Sequence, residues 1–276
     1  MKRLLVAVVC LALIICFLPA GSAAADKILM MATTTSTDNT GLLDHLAPQF
    51  KAATGIELRW TATGTGKALK LGQNCDVDIL MVHAPPAEKK FVANGYGVDR
   101  REVMYNDFVI IGPAADGAGI KGKSIAEALA TIQTSQTVFV SRGDNSGTHK
   151  KELALWKAAK LPVPEKEAWY VQTGQGMLAS INIAAERNGY TMTDRGTYIK
   201  YESNLKGNPP LKVLVEGDAV LLNQYSVIAI NPKHCAKAKH GLAEQFTQWI
   251  AAPQAQQLIK DFELLGKPLF TPNADQ

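Results

Sequence analysis

From residue 27 onward, apolar and polar positions switch between two periods. Residues 27–32 form one charge followed by an apolar run too short for a helix, and read as a buried strand. Polar residues 33–39 come next. Leu42, Leu43, Leu46 and Phe50 then recur at the three-and-four spacing of one helix face. Residues 56–61 read as a strand, 66–71 as a short helix and 77–82 as a second buried strand. Ser124-Ile-Ala-Glu127 has the capping-box spacing that opens a helix, here running through Ile132. Residues 137–140 are again strand-like, and the helix after them carries Leu153, Trp156 and Ala159. Residues 212–215 and 219–230 contain further strands. Two helices close the chain, separated by Pro253, which cannot continue the first. Strand and helix in turn predict an α/β fold with largely parallel sheets.

The start of the chain has a different pattern. Lys2-Arg3 precedes an apolar run over residues 4–18, and Ala23-Ala24-Ala25 supplies a small-residue exit. These are the three parts of a secretory signal peptide, assigned to residues 1–25, and they place the mature chain outside the cytoplasm, in the periplasm. Cys10 follows Val9 and Cys16 follows Ile15, so neither has the small preceding residue that a lipoprotein anchor needs. No other stretch is apolar and long enough to cross a bilayer. Beyond the leader two cysteines remain, Cys75 and Cys235. They form either one disulfide or two buried thiols, and sequence leaves both open. No Cys/His spacing suits a metal ion, and no cofactor is expected.

The 276 residues are 47% hydrophobic and 20% charged, which is globular composition and enough chain for one large domain or two moderate ones. The formal charge of +4, less Lys2 and Arg3, leaves +2 on the mature chain. That is too little for a general nucleic-acid binder.

The candidate chemistry lies in three strand-to-helix turns. The first is Thr33-Thr34-Thr35-Ser36-Thr37-Asp38-Asn39-Thr40-Gly41, the second Thr61-Ala62-Thr63-Gly64-Thr65-Gly66, and the third Ser141-Arg142-Gly143-Asp144-Asn145-Ser146-Gly147-Thr148. Each follows the carboxyl end of a strand, where α/β sheets bind ligands, and each opens a helix whose free N–H groups attract an anion. Any one such turn is more often an ordinary helix cap. Three together, hydroxyl-rich and joined by the planar fork of Arg142, point to a small oxyanion held by neutral donors and one guanidinium.

These motifs resemble the tungstate-binding component of tungstate ABC transporters. The resemblance is carried by Thr34-Thr35-Ser36, by Val82-His83-Ala84-Pro85, by the Arg142–Thr148 motif with His149-Lys150-Lys151-Glu152, by residues 170–177 and by Asp194-Arg-Gly-Thr-Tyr198. It implies a two-lobed α/β receptor of the type II periplasmic-binding-protein group, its ligand in a cleft between lobes joined by two crossover strands. Domain I is then expected at 26–108 and 227–276, and domain II at 109–226, with crossovers at 105–111 and 223–230. The implied ligand is tungstate or molybdate, held by Thr34, Thr35, Ser36, Thr65, Arg142, Ser146, Gly147 and Thr148. The implied partners are a permease and an ATPase, for a receptor that works as a monomer. Phosphate receptors of this group carry an aspartate after the third strand, which accepts the proton of hydrogen phosphate. His83 stands there instead, and this favours a proton-free dianion. Two alternatives stay open at this point: a receptor for another tetrahedral oxyanion such as sulfate or phosphate, and an exported hydrolase using Ser146 and His149.

Overall fold

The structure, a computed structural model, describes residues 27–274; the leader expected at 1–25 lies outside the described residues. The chain begins with β1 (Ile28–Thr34), α1 (Thr35–Asp38), α2 (Leu42–Thr54), β2 (Glu57–Thr63), α3 (Thr65–Gln73), β3 (Ile79–Val82), α4 (Pro85–Ala93) and the long β4 (Gly97–Pro113). It continues through α5 (Ile125–Ser135), β5 (Phe139–Ser141), α6 (Gly147–Ala158), β6 (Tyr170–Gln172), α7 (Met177–Glu186), β7 (Tyr190–Asp194), α8 (Arg195–Asn204) and β8 (Leu211–Val215). It returns as β9 (Leu222–Ile230), α9 (His240–Ala251), α10 (Pro253–Lys260), a hairpin of β10 (Glu263–Leu264) and β11 (Lys267–Pro268), and β12 (Thr271–Pro272).

Strand β4 makes two lobes out of this order. Through Asp107 it pairs with β9, beside β3, β1 and β2; from Phe108 it pairs with β7, beside β5 and β6. Each half-sheet has its own core. Leu29, Met31, Phe50, Tyr225 and Phe246 are buried together in the first lobe, and Phe108, Phe139, Trp156 and Tyr190 in the second. The sheets are mixed, which corrects the expectation of largely parallel ones. β1–β2, β1–β3, β5–β6 and β5–β7 are parallel, whereas β4 and β9 run against each other and against β3, β7 and β8. A strand that leaves one lobe and another that returns to it travel in opposite directions, so the crossovers bring antiparallel pairing with them.

Helix α2 buries Leu42, Leu43, Leu46 and Phe50, the four residues whose spacing predicts it. Both halves of the Ser124–Glu127 capping box are formed. Helix α6 departs from the expected face: Leu155 and Trp156 are buried, and Leu153 is only partly covered. Residues 33–39 are more regular than their polarity suggests, since Thr33 and Thr34 complete β1 and the next four form α1. Thr33 faces inward and donates its hydroxyl to the Met81 carbonyl at 2.9 Å, so its polar group is satisfied within the sheet.

Candidate functional site

The loops that leave β1, β2, β3 and β5 converge between the lobes. Thr34 ends β1 and caps α1; its Oγ1 accepts the Thr37 N–H at 3.2 Å and lies 3.0 Å from both Ser36 Oγ and His83 Nε2. Thr35 and Ser36 form the first turn of α1. Thr65 opens α3, whose cap residue, Gly64, offers no side chain, so the first N–H groups of that helix are left for a ligand. Ser146 caps α6, accepting the His149 N–H at 3.3 Å, and Gly147 and Thr148 form its first turn. A Cβ placed on Gly147 would lie 3.4 Å from Thr65 Oγ1 and 3.6 Å from His83 Cε1. The head of α6 in one lobe therefore meets the head of α3 and His83 in the other.

All eight residues expected from sequence line one cavity of about 420 Å³, together with His83, Asp144, Lys67 and Lys150. Beside it lies a second hollow of about 280 Å³. It shares Thr35, Ser36 and Arg142 and adds Thr197 and Lys200 of α8 and the head of α7. The two hollows adjoin at Thr35, Ser36 and Arg142, which line both. The contribution of α7 and α8 is not evident from composition; their heads coincide with residues 170–177 and 194–198, which carry part of the family resemblance but to which no ligand role is assigned from sequence.

Asp144 orients Arg142. Its Oδ2 accepts from Nε at 3.1 Å and from Nη2, while Oδ1 accepts the Ser146 N–H at 3.1 Å. Burial works to raise its pKa, but the bonds from Ser146 and Arg142 and the charge of Arg142 outweigh this and hold the carboxyl below its ordinary range. Asp144 is thus an ionised partner that steadies the fork and is not a proton acceptor for a ligand. His83 is buried and stacked on Tyr225, with ring centroids 4.7 Å apart. Its Nδ1 lies 2.9 Å from Asn223 Oδ1, and burial pushes its pKa down, so the imidazole is neutral.

Beneath the Arg142 loop sits a buried acid. Ser141 donates to Glu152 Oε2 at 2.7 Å and Tyr170 donates to Oε1 at 2.6 Å. Burial pushes Glu152 up to about 7 from an ordinary 4.5, against both hydrogen bonds. Between those two values the native chain keeps a proton that the unfolded chain has released. Stability is therefore expected to fall as pH rises from about 4.5 to about 7. Glu152→Gln is expected to flatten that stretch of the thermal-midpoint profile; an unchanged slope would assign the titration to another group.

The hydrolase alternative meets a different arrangement. Ser146 Oγ is occupied as a helix cap, and His149 Nδ1 accepts the Asn145 N–H at 3.0 Å. The pair supports the loop's backbone, and its ring nitrogen is turned to Asn145.

A two-lobed α/β chain whose cleft gathers helix heads, hydroxyls and one arginine is a solute-binding protein, and residues 19–254 match the PBP superfamily domain. Tungstate-binding protein TupA of Campylobacter jejuni is 53% identical over 87% of this chain and 88% of its own length. The solved tungstate-binding protein TupA from Desulfovibrio alaskensis G20 is 69% identical, with a TM-score of 0.87 over 91% of this chain and all of that one. The solved tungstate ABC transporter protein from Geobacter sulfurreducens is 46% identical, with a TM-score of 0.76 over 86% of this chain and 99% of that one. The chain belongs to the tungstate-binding protein family within that superfamily. It is a binding protein and not an enzyme.

Proposed function

We propose that this chain is a periplasmic receptor that captures tungstate, with molybdate as its nearest competitor, and hands it to the permease and ATPase of an ABC transporter. The observation that carries the reading is the convergence on one cavity of Thr34, Thr35, Ser36 and Thr65 from one lobe and Arg142, Ser146, Gly147 and Thr148 from the other. The names of the relatives supply the ion and the transporter.

The lobes are taken as 26–108 with 227–276, and 109–226. The change of partners on β4 at Asp107 and Phe108 supports the first border. On the return, β9 pairs with β4 from Leu222, which supports a second border close to 227. The receptor works as a monomer and reaches the periplasm through a cleaved leader.

The ligand roles follow from which donors are free. Thr34 Oγ1 is engaged by Thr37 N–H, by Thr37 Oγ1 at 2.7 Å and by His83, so it shapes the turn. Thr35, Thr65 and Thr148 offer hydroxyls, and Ser36 Oγ, 3.0 Å from Thr34 Oγ1 and 3.1 Å from His83 Nε2, turns to the ion by giving up one of those contacts; the heads of α3 and α6 offer N–H groups, and Arg142 offers its fork. Hydrogen bonds to a charged group contribute about 1.5–3 kcal/mol each. Several of them, less the costs of closing the lobes and desolvating the ion, give about −12 kcal/mol, a nanomolar affinity. Asp144, the carboxylate that lines the larger hollow, is already bound to Arg142 and Ser146, and Asp194 in the smaller one is bound to Thr197, so neither stands open to a ligand's proton.

Calorimetry with tungstate, molybdate, sulfate and phosphate tests the reading. Tungstate is expected to bind in the nanomolar range and phosphate at least about a hundredfold more weakly. Phosphate binding as tight as tungstate binding would overturn it.

A further inference from the structure

Helix α8 follows β7 and precedes β8, so by strand order it belongs to the second lobe. Tyr198 and Tyr201 are buried there with Val109, Met177 and Leu211. Ile199, between them, points the other way and is buried with Met31, Tyr225 and Phe270 in the core of the first lobe. One helix is thus keyed into both cores by neighbouring residues. Its polar side chains also reach the first lobe. Lys200 Nζ donates to the carbonyl of Asn39, which caps the end of α1, and Glu202 pairs with Lys267 on the β10–β11 hairpin. At its head Arg195 holds Asp107 through Nε and Nη2, at the point where β4 changes lobes.

The Lys200 contact bears directly on the cleft, because α1 is the turn that presents Thr35 and Ser36. Lys200 also lines the smaller hollow with Arg142. We propose that Lys200 is a positioning residue for oxyanion capture: reaching from the second lobe, it clasps the backbone of the first lobe's anion-binding turn and so holds the two lobes together over the ligand. The clasp rests on the tungstate-receptor reading above.

A clasp and a simple attractive charge leave different kinetic traces. An attractive charge raises the association rate and is screened by salt. A contact that must break before the lobes separate slows dissociation. Trp60 offers a reporter, since its indole N–H donates to Asp38 Oδ1 of the same turn at 2.7 Å.

Stopped-flow tungstate binding followed by tryptophan fluorescence separates the two. Lys200→Met is expected to speed tungstate dissociation about tenfold at physiological ionic strength and to change association less than about threefold. Lys200→Arg keeps a cationic donor and is expected to restore the slow dissociation. Glu202→Gln weakens the same helix's hold on the hairpin without touching α1, and is expected to speed dissociation by a smaller factor. Unchanged dissociation in Lys200→Met, or a loss confined to association, overturns the clasp. Failure of the wild-type chain to bind tungstate in calorimetry would overturn the receptor reading instead, so the two failures are distinct.

Discussion

Arg142→Ala is expected to lower tungstate affinity about a thousandfold while leaving the unliganded chain folded. Arg142 lines both hollows of the cleft and lies on a loop outside both cores. Removing it deletes two charge-assisted hydrogen bonds to the dianion, a loss of roughly 4 kcal/mol, or about three decades in affinity. A second effect acts in the same direction. Asp144 is held ionised partly by Arg142, and in the variant it remains in the cavity lining with only the Ser146 bond and no neighbouring positive charge, close to where the anion binds. The double variant Arg142→Ala/Asp144→Asn is therefore expected to bind tungstate more tightly than Arg142→Ala alone. Arg142→Lys keeps the charge without the planar fork and should fall between wild type and alanine. Titration calorimetry with a circular-dichroism melt as the folding control measures all three. Wild-type affinity in Arg142→Ala would remove the guanidinium from the ligand set.

The parts of this site that were legible in the sequence are those where one residue type has few uses. An arginine beside Ser-Gly-Thr at a helix start, and hydroxyl clusters after apolar strands, have a short list of physical explanations, and all eight named residues line the cavity. What escaped was the work of residues that serve two partners. Helix α8 has no apolar stripe, because Ile199 enters one core while Tyr198 and Tyr201 enter the other. A pattern search presumes a single buried face and passes over such a helix. Leu153 misled for a related reason: α6 is turned so that Glu152 faces inward to Ser141 and Tyr170, and Leu155 and Trp156 take the apolar contacts. The mixed sheets were hidden because strand direction follows from the crossover path, which no local window contains. Thr34 shows the remaining limit. Its residue type is right for a ligand, yet its hydroxyl caps α1 and contacts His83, and only the folded geometry assigns those bonds.

Removing the disulfide is expected to cost the chain roughly 5 kcal/mol of stability and leave tungstate affinity within about twofold of wild type. Cys75 and Cys235 are bonded, with Cα atoms 5.6 Å apart and a separation of 160 positions in sequence. Restricting so long a loop in the unfolded chain gives that figure on the chain-entropy account, and the loop includes the whole second lobe. For a chain of this size the loss corresponds to a thermal midpoint lower by about 10–20 °C. Affinity is spared because of where the bridge lies. Cys75 precedes β3, His83 follows it, and Cys235 follows β9, the antiparallel neighbour in which Ala229 faces Ile79. The disulfide therefore pins the end of the first lobe's sheet opposite the cleft. Calorimetric melts of Cys75→Ser/Cys235→Ser against the oxidised wild type, with and without tungstate, separate the two effects. Ligand should raise the midpoint of both proteins, and the gap between them should persist. His234 stands within 4.8 Å of both sulfurs, so a reduced wild-type sample needs a chelator to prevent a thiolate–histidine metal site from replacing the lost bridge. An unchanged midpoint in the double serine variant would mean that the unfolded chain gains no freedom when the bridge is cut, whereas a lost tungstate affinity at low temperature would mean that strain at the far end of the sheet reaches the cleft.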